Sequence, residues 1–260
     1  MYLFCIQDNH IYMVIKSNKR DFKANKLKIG TRGSPLALAQ ALEVKKEIIK
    51  HHKLNDQSVE IISISTKGDR VIDRPLTEIG GKGLFTEEIE NKLFHNEIDI
   101  AVHSMKDMPT EFPTGLGINT FLKREDFRDS FVSLKYNSIN ELPVGAVVGS
   151  SSIRRKAQLL SIRPDLKVVE FRGNVQTRLK KLEDGVADAT FLACAGLIRL
   201  GMKDLVNPIS PEVMMPAIAQ GIIGIEQRLN DNEITELLFP LNHEKTKTQA
   251  LVERSFLQVL

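Results

Sequence analysis

Asp99 to Pro109 read D-I-A-V-H-S-M-K-D-M-P. The apolar run makes a short buried strand, which passes without a spacer into a polar loop carrying His103, Ser104, Lys106 and Asp107. Ligands of open α/β sheets bind outside the carboxyl ends of strands, so an acid beside an amine at such an end points to chemistry on a small molecule. The stretch 92–104, K-L-F-H-N-E-I-D-I-A-V-H-S, is echoed at 181–193 by K-L-E-D-G-V-A-D-A-T-F-L-A. Both read as helix end, turn, Asp, buried strand. The echo predicts two similar units.

Outward from that stretch, the pattern alternates. Leu27 to Thr31 reads as a strand, and Ser34-Pro35 as an N-cap and first helical residue, with helical apolar spacing from Leu36 to Lys50. Val59 to Ser65 is β-branched and alternating, and ends in the loop T-K-G-D-R. A polar loop at 79–84 precedes a helix over 85–96, whose early Glu87 and Glu88 suit a helix N-terminus. Strand and helix alternate again from about Phe127, with strands at 146–148, 168–171 and 189–193 and helices at 156–161 and 176–183. Such alternation predicts a mainly parallel sheet in each unit. The segment P-A-I-A-Q-G-I-I-G-I-E-Q, 216–227, is expected to return the chain to the first unit. Two such lobes around a cleft have the layout of periplasmic-binding folds, in which closure surrounds a ligand.

The 260 residues are 42% hydrophobic and 27% charged, enough to bury ordinary cores. The net charge of +3 does not call for nucleic acid, and basic residues without interleaved aromatics argue further against it: 6% of residues are aromatic and none is Trp. Cys5 and Cys194 lack CxxC spacing and clustered His partners, against a disulfide framework or structural zinc; no metal is expected, and the usage fits a reducing cytoplasm. No apolar run approaches the ~18 residues needed to span a bilayer, so no membrane partner is expected. Residues 1–26 read as an N-terminal extension without signal-peptide features, whose basic stretch 16–26 is a targeting remnant or, more in keeping with its composition, a frayed terminus or a start codon placed too far upstream.

Basic residues recur at strand ends and helix starts: Arg32, Lys67, Lys82, Lys106, Arg154, Arg155, Arg172, Arg178 and Arg199. Any one of them alone is ordinary solvated charge. Placed together in a cleft with helix N-termini, they would form a wall for a ligand bearing several carboxylates or phosphates. Asp107 beside Lys106 can exchange a proton with a nitrogen leaving group or, equally, cap a turn before Met108-Pro109. His103 reads as a hydrogen-bonded histidine, since no second metal ligand stands near it. The G-G-K-G loop is too short for a P-loop.

Nine segments in order, T-R-G-S-P-L-A-L-A-Q, T-K-G-D, G-G-K-G-L-F, A-V-H-S-M-K-D-M-P, L-K-R-E-D, G-S-S-S-I-R-R, R-G-N-V-Q-T-R-L, L-A-C-A-G-L-I-R-L-G and P-A-I-A-Q-G-I-I-G-I-E, together resemble the hydroxymethylbilane synthase (porphobilinogen deaminase) family from Leu27 to Leu260. The resemblance implies an α/β protein with two periplasmic-binding-protein-like domains around a cleft and only the first helix of a third, α+β domain. The implied division is 27–123 with 217–240, then 124–216, then 241–260. It also implies a usually monomeric transferase of haem and porphyrin biosynthesis. That enzyme joins four porphobilinogen units head to tail on a dipyrromethane cofactor, releasing ammonia at each step. Asp107 becomes the catalytic carboxylate, which helps ammonia leave and steadies the cationic azafulvene. Arg32, Ser34, Lys67, Lys82, Ser104, Lys106, Ser150, Ser152, Arg154, Arg155, Arg172, Arg178, Arg199 and Gln220 become the residues holding acetate and propionate groups.

Three departures accompany the likeness. Phe127 stands at the proline position of R-E-D-P-R-D, expected to alter only an interdomain hinge. Ser150 replaces a common threonine and keeps its hydroxyl. The family's glycine-rich turn and cofactor-anchoring cysteine would follow Leu260, so this sequence is expected to be C-terminally truncated. Cys194 sits in a packing position and is not expected to replace that cysteine. Activity of the chain alone is therefore not implied, and 246–260 is expected to be exposed or poorly ordered. The rival reading is a polycarboxylate-binding protein that closes on its ligand without chemistry.

Overall fold

The computed structural model describes residues 3–7, 10–14, 26–70 and 83–259. Strands β1 (Leu3–Gln7) and β2 (His10–Val14) pair antiparallel as a separate hairpin, while residues 16–25, on which the reading of a frayed terminus falls, lie outside the described residues. The body holds two further sheets. The first comprises β3 (Leu27–Arg32), β4 (Val59–Ile64), β5 (Ile100–Ser104), β6 (Leu116–Phe121) and β11 (Ile223–Arg228), in the order β4-β3-β5-β11-β6. The second comprises β7 (Asp129–Ser133), β8 (Val147–Gly149), β9 (Lys167–Val169) and β10 (Ala189–Ala193), in the order β7-β10-β8-β9.

Helix α1 (Pro35–His52) starts as the sequence predicts: Ser34 accepts a hydrogen bond from the Ala37 amide and Pro35 takes the first turn. Its Ala41, Val44 and Ile48 pack on Leu27, Ile29, Ile100 and Val102, joined by Ile234 and Leu238 of α7 (Asn232–Leu238). The opposite face of that sheet buries Ile64, Ala101 and Leu116 under Ile89 and Leu93 of α3 (Glu87–Phe94). In the second unit, α4 (Ile153–Ile162) and α5 (Val175–Glu183) are capped by Ser152 and Asn174, and α6 (Cys194–Arg199) follows β10 directly.

The echo between the units is structural. Asp99 Oδ2 accepts the Lys28 amide at 2.8 Å and Asp188 Oδ2 accepts the Val147 amide at 2.8 Å, each tying its strand to the adjacent parallel one. Each sheet is mainly parallel, as expected, with one reversed strand. β11 runs antiparallel to both β5 and β6, and β7 antiparallel to β10, because these strands begin where the chain crosses between lobes, with no helix to reverse it. The T-K-G-D-R loop closes into a short helix, α2 (Lys67–Arg70).

Helix α8 (Glu244–Val259) bears out the exposure expected of 246–260 and corrects only the expectation of poor order. Residues 246–259 form an ordered helix docked through Thr246, Ala250 and Arg254, while Leu251, Val252, Phe256 and Val259 remain exposed.

Candidate active site

The turn after β5 is fixed by its two methionines. Met105 and Met108 are buried against Ile118, Phe121, Ala219, Ile222 and Ala250, so the intervening Lys106 and Asp107 are turned outward. Gly224 makes room for this, since a Cβ there would lie 2.2 Å from Met105 Sδ. Arg254 of α8 donates to the carbonyls of Met108 and Pro109, holding the turn's exit. The Asp107 carboxylate makes no hydrogen bond or ion pair among the described residues. It borders an open pocket of about 450 Å³ with Arg32, Ser34, Gln40, Phe85, His103 and Ser104.

Across from this turn stand the carboxyl ends of β8 and β9. Lys106 donates to Gln220 Oε1 at 3.4 Å, and its ammonium is held below the ordinary lysine range. Although the side chain has access to the cleft, protein walls surround it, so desolvation is the main cause; Asp107 and Asp129 pull the other way, while Arg155 and Arg178 add to the lowering. Arg178 is pushed down to about 10, first by burial and then by Arg155, with Glu170 and Asp107 opposing. Cations from two sheets thus depress one another around one unpaired carboxylate.

A residue that motif reading passed over organises this wall. Asp129, fully buried at the start of β7, accepts from Arg155 Nη2 at 2.6 Å and Nε at 3.2 Å, and from Gln220 Nε2 at 3.0 Å. Arg154 Nη2 approaches its other oxygen to 2.8 Å, off the hydrogen-bonding direction. Burial raises the Asp129 pKa, but Arg155 and Arg154 outweigh it and hold the carboxyl below the usual range. The signal lay in R-E-D-F-R-D, whose last acid must find a cation once it begins a buried strand.

Several expected ligand residues are committed elsewhere. Arg32 reaches the pocket, but its Nε lies 3.1 Å from Asp69 Oδ1 and its guanidinium stacks 4.1 Å from the Phe85 ring centroid, so it is a paired cation. Arg155 spends its remaining donor on the Phe191 carbonyl at 2.9 Å, and Gln220 donates to the Phe127 carbonyl at 2.8 Å. Ser104 exchanges hydrogen bonds with Gln40, fixing α1 to β5. Lys67 pairs with Glu87 at 2.7 Å on the surface. Arg199 is almost wholly buried, bound to Glu43 at 2.9 Å and to the Gly221 carbonyl at 3.1 Å, so it clamps the crossover to α1 instead of facing a ligand. Lys82 lies outside the described residues.

Ser34, Ser150 and Ser152 each accept one backbone amide, leaving the hydroxyl hydrogen able to donate. Arg172 lies in the loop between β9 and α5, and Arg178 in the first turns of α5. The one described cysteine with a placed side chain, Cys194, is buried and its thiol is pushed up to about 11, mainly by burial. It is unsuited to attack or attachment. Among the described residues no cluster of His, Cys, Asp and Glu could hold a metal.

The family model described as porphobilinogen deaminase, dipyromethane cofactor binding domain, matches residues 27–236. The chain belongs to the porphobilinogen deaminase family. A porphobilinogen deaminase from Paracoccus denitrificans is 59% identical over 234 residues, covering 90% of this chain and 75% of that protein. Among solved structures, a pheromone precursor/lipoprotein of the YaeC family from Enterococcus faecalis matches with a TM-score of 0.51 at 14% identity, over 88% of this chain and 97% of that one. That likeness concerns the fold alone, and places the chain with two-lobed, periplasmic-binding-protein-like α/β architectures.

The cofactor named by the family model is a chain of two pyrroles carrying acidic side chains. The donor set fits it. Lys106 and Arg178 are cations lowered first by desolvation and then by neighbouring cations, so bound carboxylates would compensate them, and the serine hydroxyls supply neutral donors.

Proposed function

We propose that this protein is a hydroxymethylbilane synthase, which condenses four porphobilinogen molecules head to tail with loss of one ammonia per unit. One observation carries the reading of the site: the Asp107 carboxylate, without a hydrogen bond or ion pair among the described residues, stands beside Lys106 on its own turn and acts on Arg178 of the other lobe, so a lone acid lies between cations of both lobes.

The chemistry follows from that arrangement. Arg178, Arg172, Lys106 and the hydroxyls of Ser34, Ser150 and Ser152 hold the acidic side chains of substrate and cofactor, while Arg154 is held by Asp129. A bound dipyrromethane supplies the pyrrole carbon at which the first substrate unit is joined. Asp107 carries the proton exchange at the substrate's aminomethyl nitrogen, and its negative charge stabilises the cation left when ammonia departs. We read the lobes as 27–123 with 217–240 and as 124–216, so that the cleft between them closes over the growing chain. A free, soluble substrate fits a cytoplasmic setting, and no helix among the described residues is long and apolar enough to cross a membrane.

The test is turnover of porphobilinogen by the full chain made in a tetrapyrrole-producing host, against Asp107→Asn. The expected result is one ammonia released per porphobilinogen consumed, with a loss of about 100-fold or more in the variant. Tight porphobilinogen binding without ammonia release would instead support a binding protein without chemistry.

A further inference from the structure

Behind the catalytic turn, on the sheet face covered by α3, three ionisable side chains are buried together. His103 of β5 pairs with Gly224 of β11, and Glu226 lies two residues further along β11 on the same face. Glu226 reaches diagonally across, so that its Oε2 lies 2.9 Å from His103 Nε2. Glu90 of α3 is turned inward onto this face as well, and Glu226 Oε1 and Glu90 Oε1 are both buried without a hydrogen-bond partner.

Their neighbours on this face are Ala101, Ile64, Leu116 and Ile89, and apolar groups would fill the space without unpaired oxygens. What distinguishes the spot is its place in the chain. His103 lines the pocket that Asp107 borders, and the turn bearing Asp107 begins two residues after it.

We infer that Glu226 is a positioning residue for the catalytic turn: it fixes the His103 ring through Nε2, and Glu90 of α3 completes the buried cluster beside it. This rests on Asp107 being the reacting carboxylate. The direction at Glu90 agrees. Burial raises its pKa, the Thr86 hydroxyl opposes this, the charge of Glu226 adds to it, His103 opposes and Glu87 adds.

The experiment uses the full chain from a tetrapyrrole-producing host. Three measurements are made: kcat and KM for porphobilinogen, the tautomer of His103 by 15N NMR of the imidazole, and the infrared band of buried carboxylic acid at pH 5. Glu226→Leu should free the ring from its Nε2–H form and lower kcat about tenfold, with KM changed less than about twofold. Glu226→Gln, whose amide oxygen accepts the same bond, should restore the tautomer and most of kcat. Glu90→Gln should remove the infrared band.

Should Glu226→Leu fail to fold, His103→Asn deletes Nε2 from the other side of the bond and must show the same loss of kcat. An unchanged tautomer, wild-type kcat in Glu226→Leu, a loss confined to KM, or no carboxylic acid band for Glu90→Gln to remove would each overturn the inference. Asp107→Asn, assayed alongside, separates the two readings. If it still turns over, the assignment of the reaction to Asp107 falls; if it is dead while Glu226→Leu is unimpaired, only the positioning role falls.

Discussion

Asp129 and Arg155 form a buried ion pair at the base of the cleft, Nη2 to Oδ1 2.6 Å, with the carboxylate at 0% and the guanidinium side chain at 8% exposure. The same carboxylate receives Gln220 from the interlobe crossover, and Gln220 in turn receives Lys106 from the catalytic turn. One acid on the second sheet is thereby linked through two hydrogen bonds to the turn of the first that bears Lys106 and Asp107.

Removing that acid leaves buried cations uncompensated. Asp129→Asn is expected to cost about 3–5 kcal/mol at neutral pH, read as a lower denaturant midpoint. The pH dependence has a definite sign. The folded pKa lies below the unfolded value of 3.8, so the stabilisation is fully present above that value and is lost as pH falls through the folded pKa. The gap between wild type and variant should hold constant from neutral pH down to about pH 5 and shrink below pH 4. A gap that stays constant through pH 3 would refute the pairing.

Glu90 titrates in the opposite sense. Its folded pKa lies above the unfolded value of 4.5, so the stability it contributes as a neutral acid is present below 4.5 and is lost as pH rises through the folded pKa. Glu90→Gln cannot ionise. Its stability relative to wild type should rise with pH from about 4.5 upward and then level off, as measured by urea denaturation across pH. A flat difference would mean that Glu90 is not perturbed by folding.

Arg178 and Arg199 were alike in sequence and should part in experiment. Arg178→Ala removes a donor facing the cleft and is expected to raise KM for porphobilinogen at least about tenfold, with little change in melting temperature. Arg199→Ala breaks the clamp to Glu43 and the Gly221 carbonyl. It should lower stability by about 1–3 kcal/mol and leave KM near wild type. The reverse pattern would undo both assignments.

The crossover depends on Gly221, whose φ is +86° and whose added Cβ would lie 2.6 Å from the Glu125 carbonyl oxygen on the companion crossing strand. Gly221→Ala is expected to destabilise by about 1–3 kcal/mol, because both the positive φ and the close backbone must be relieved. Calorimetry of the full chain reads this directly, and an unchanged melting temperature would show that the crossing strands can separate freely.

Element type was largely legible in the sequence, because it depends on local spacing. The Ser34-Pro35 start of α1, the strands at Leu27 and Ala189 and the Asp99/Asp188 echo all follow from period, cap chemistry and turn residues within a few positions. Strands β6, β7 and β11 escaped that reading. They are short, lie next to the crossovers, and gain their partners from segments as distant as Ile100 is from Gln227.

The catalytic turn M-K-D-M could be read in outline: two apolar residues flank two charged ones, and only one arrangement buries the first pair. Its alternative, Asp107 as a turn cap, is removed by the absence of any described partner for the carboxylate. The basic wall was visible only as a list of cations at loop positions. Which cations face a ligand and which are neutralised was decided by acids remote in sequence: Asp69 for Arg32, Glu43 for Arg199 and Asp129 for Arg154 and Arg155.

The order of residues alone determined which segments are helix or strand, that two similar units exist, and that a lone acid and many cations gather at strand ends, since those properties are set by neighbours along the chain. Only tertiary structure decided the antiparallel return of β11, the docking of α8 beneath the catalytic turn, and the division of the cations into paired and available. A charge's role is fixed by the nearest opposite charge in a poorly screened cleft, and that neighbour is supplied by the fold.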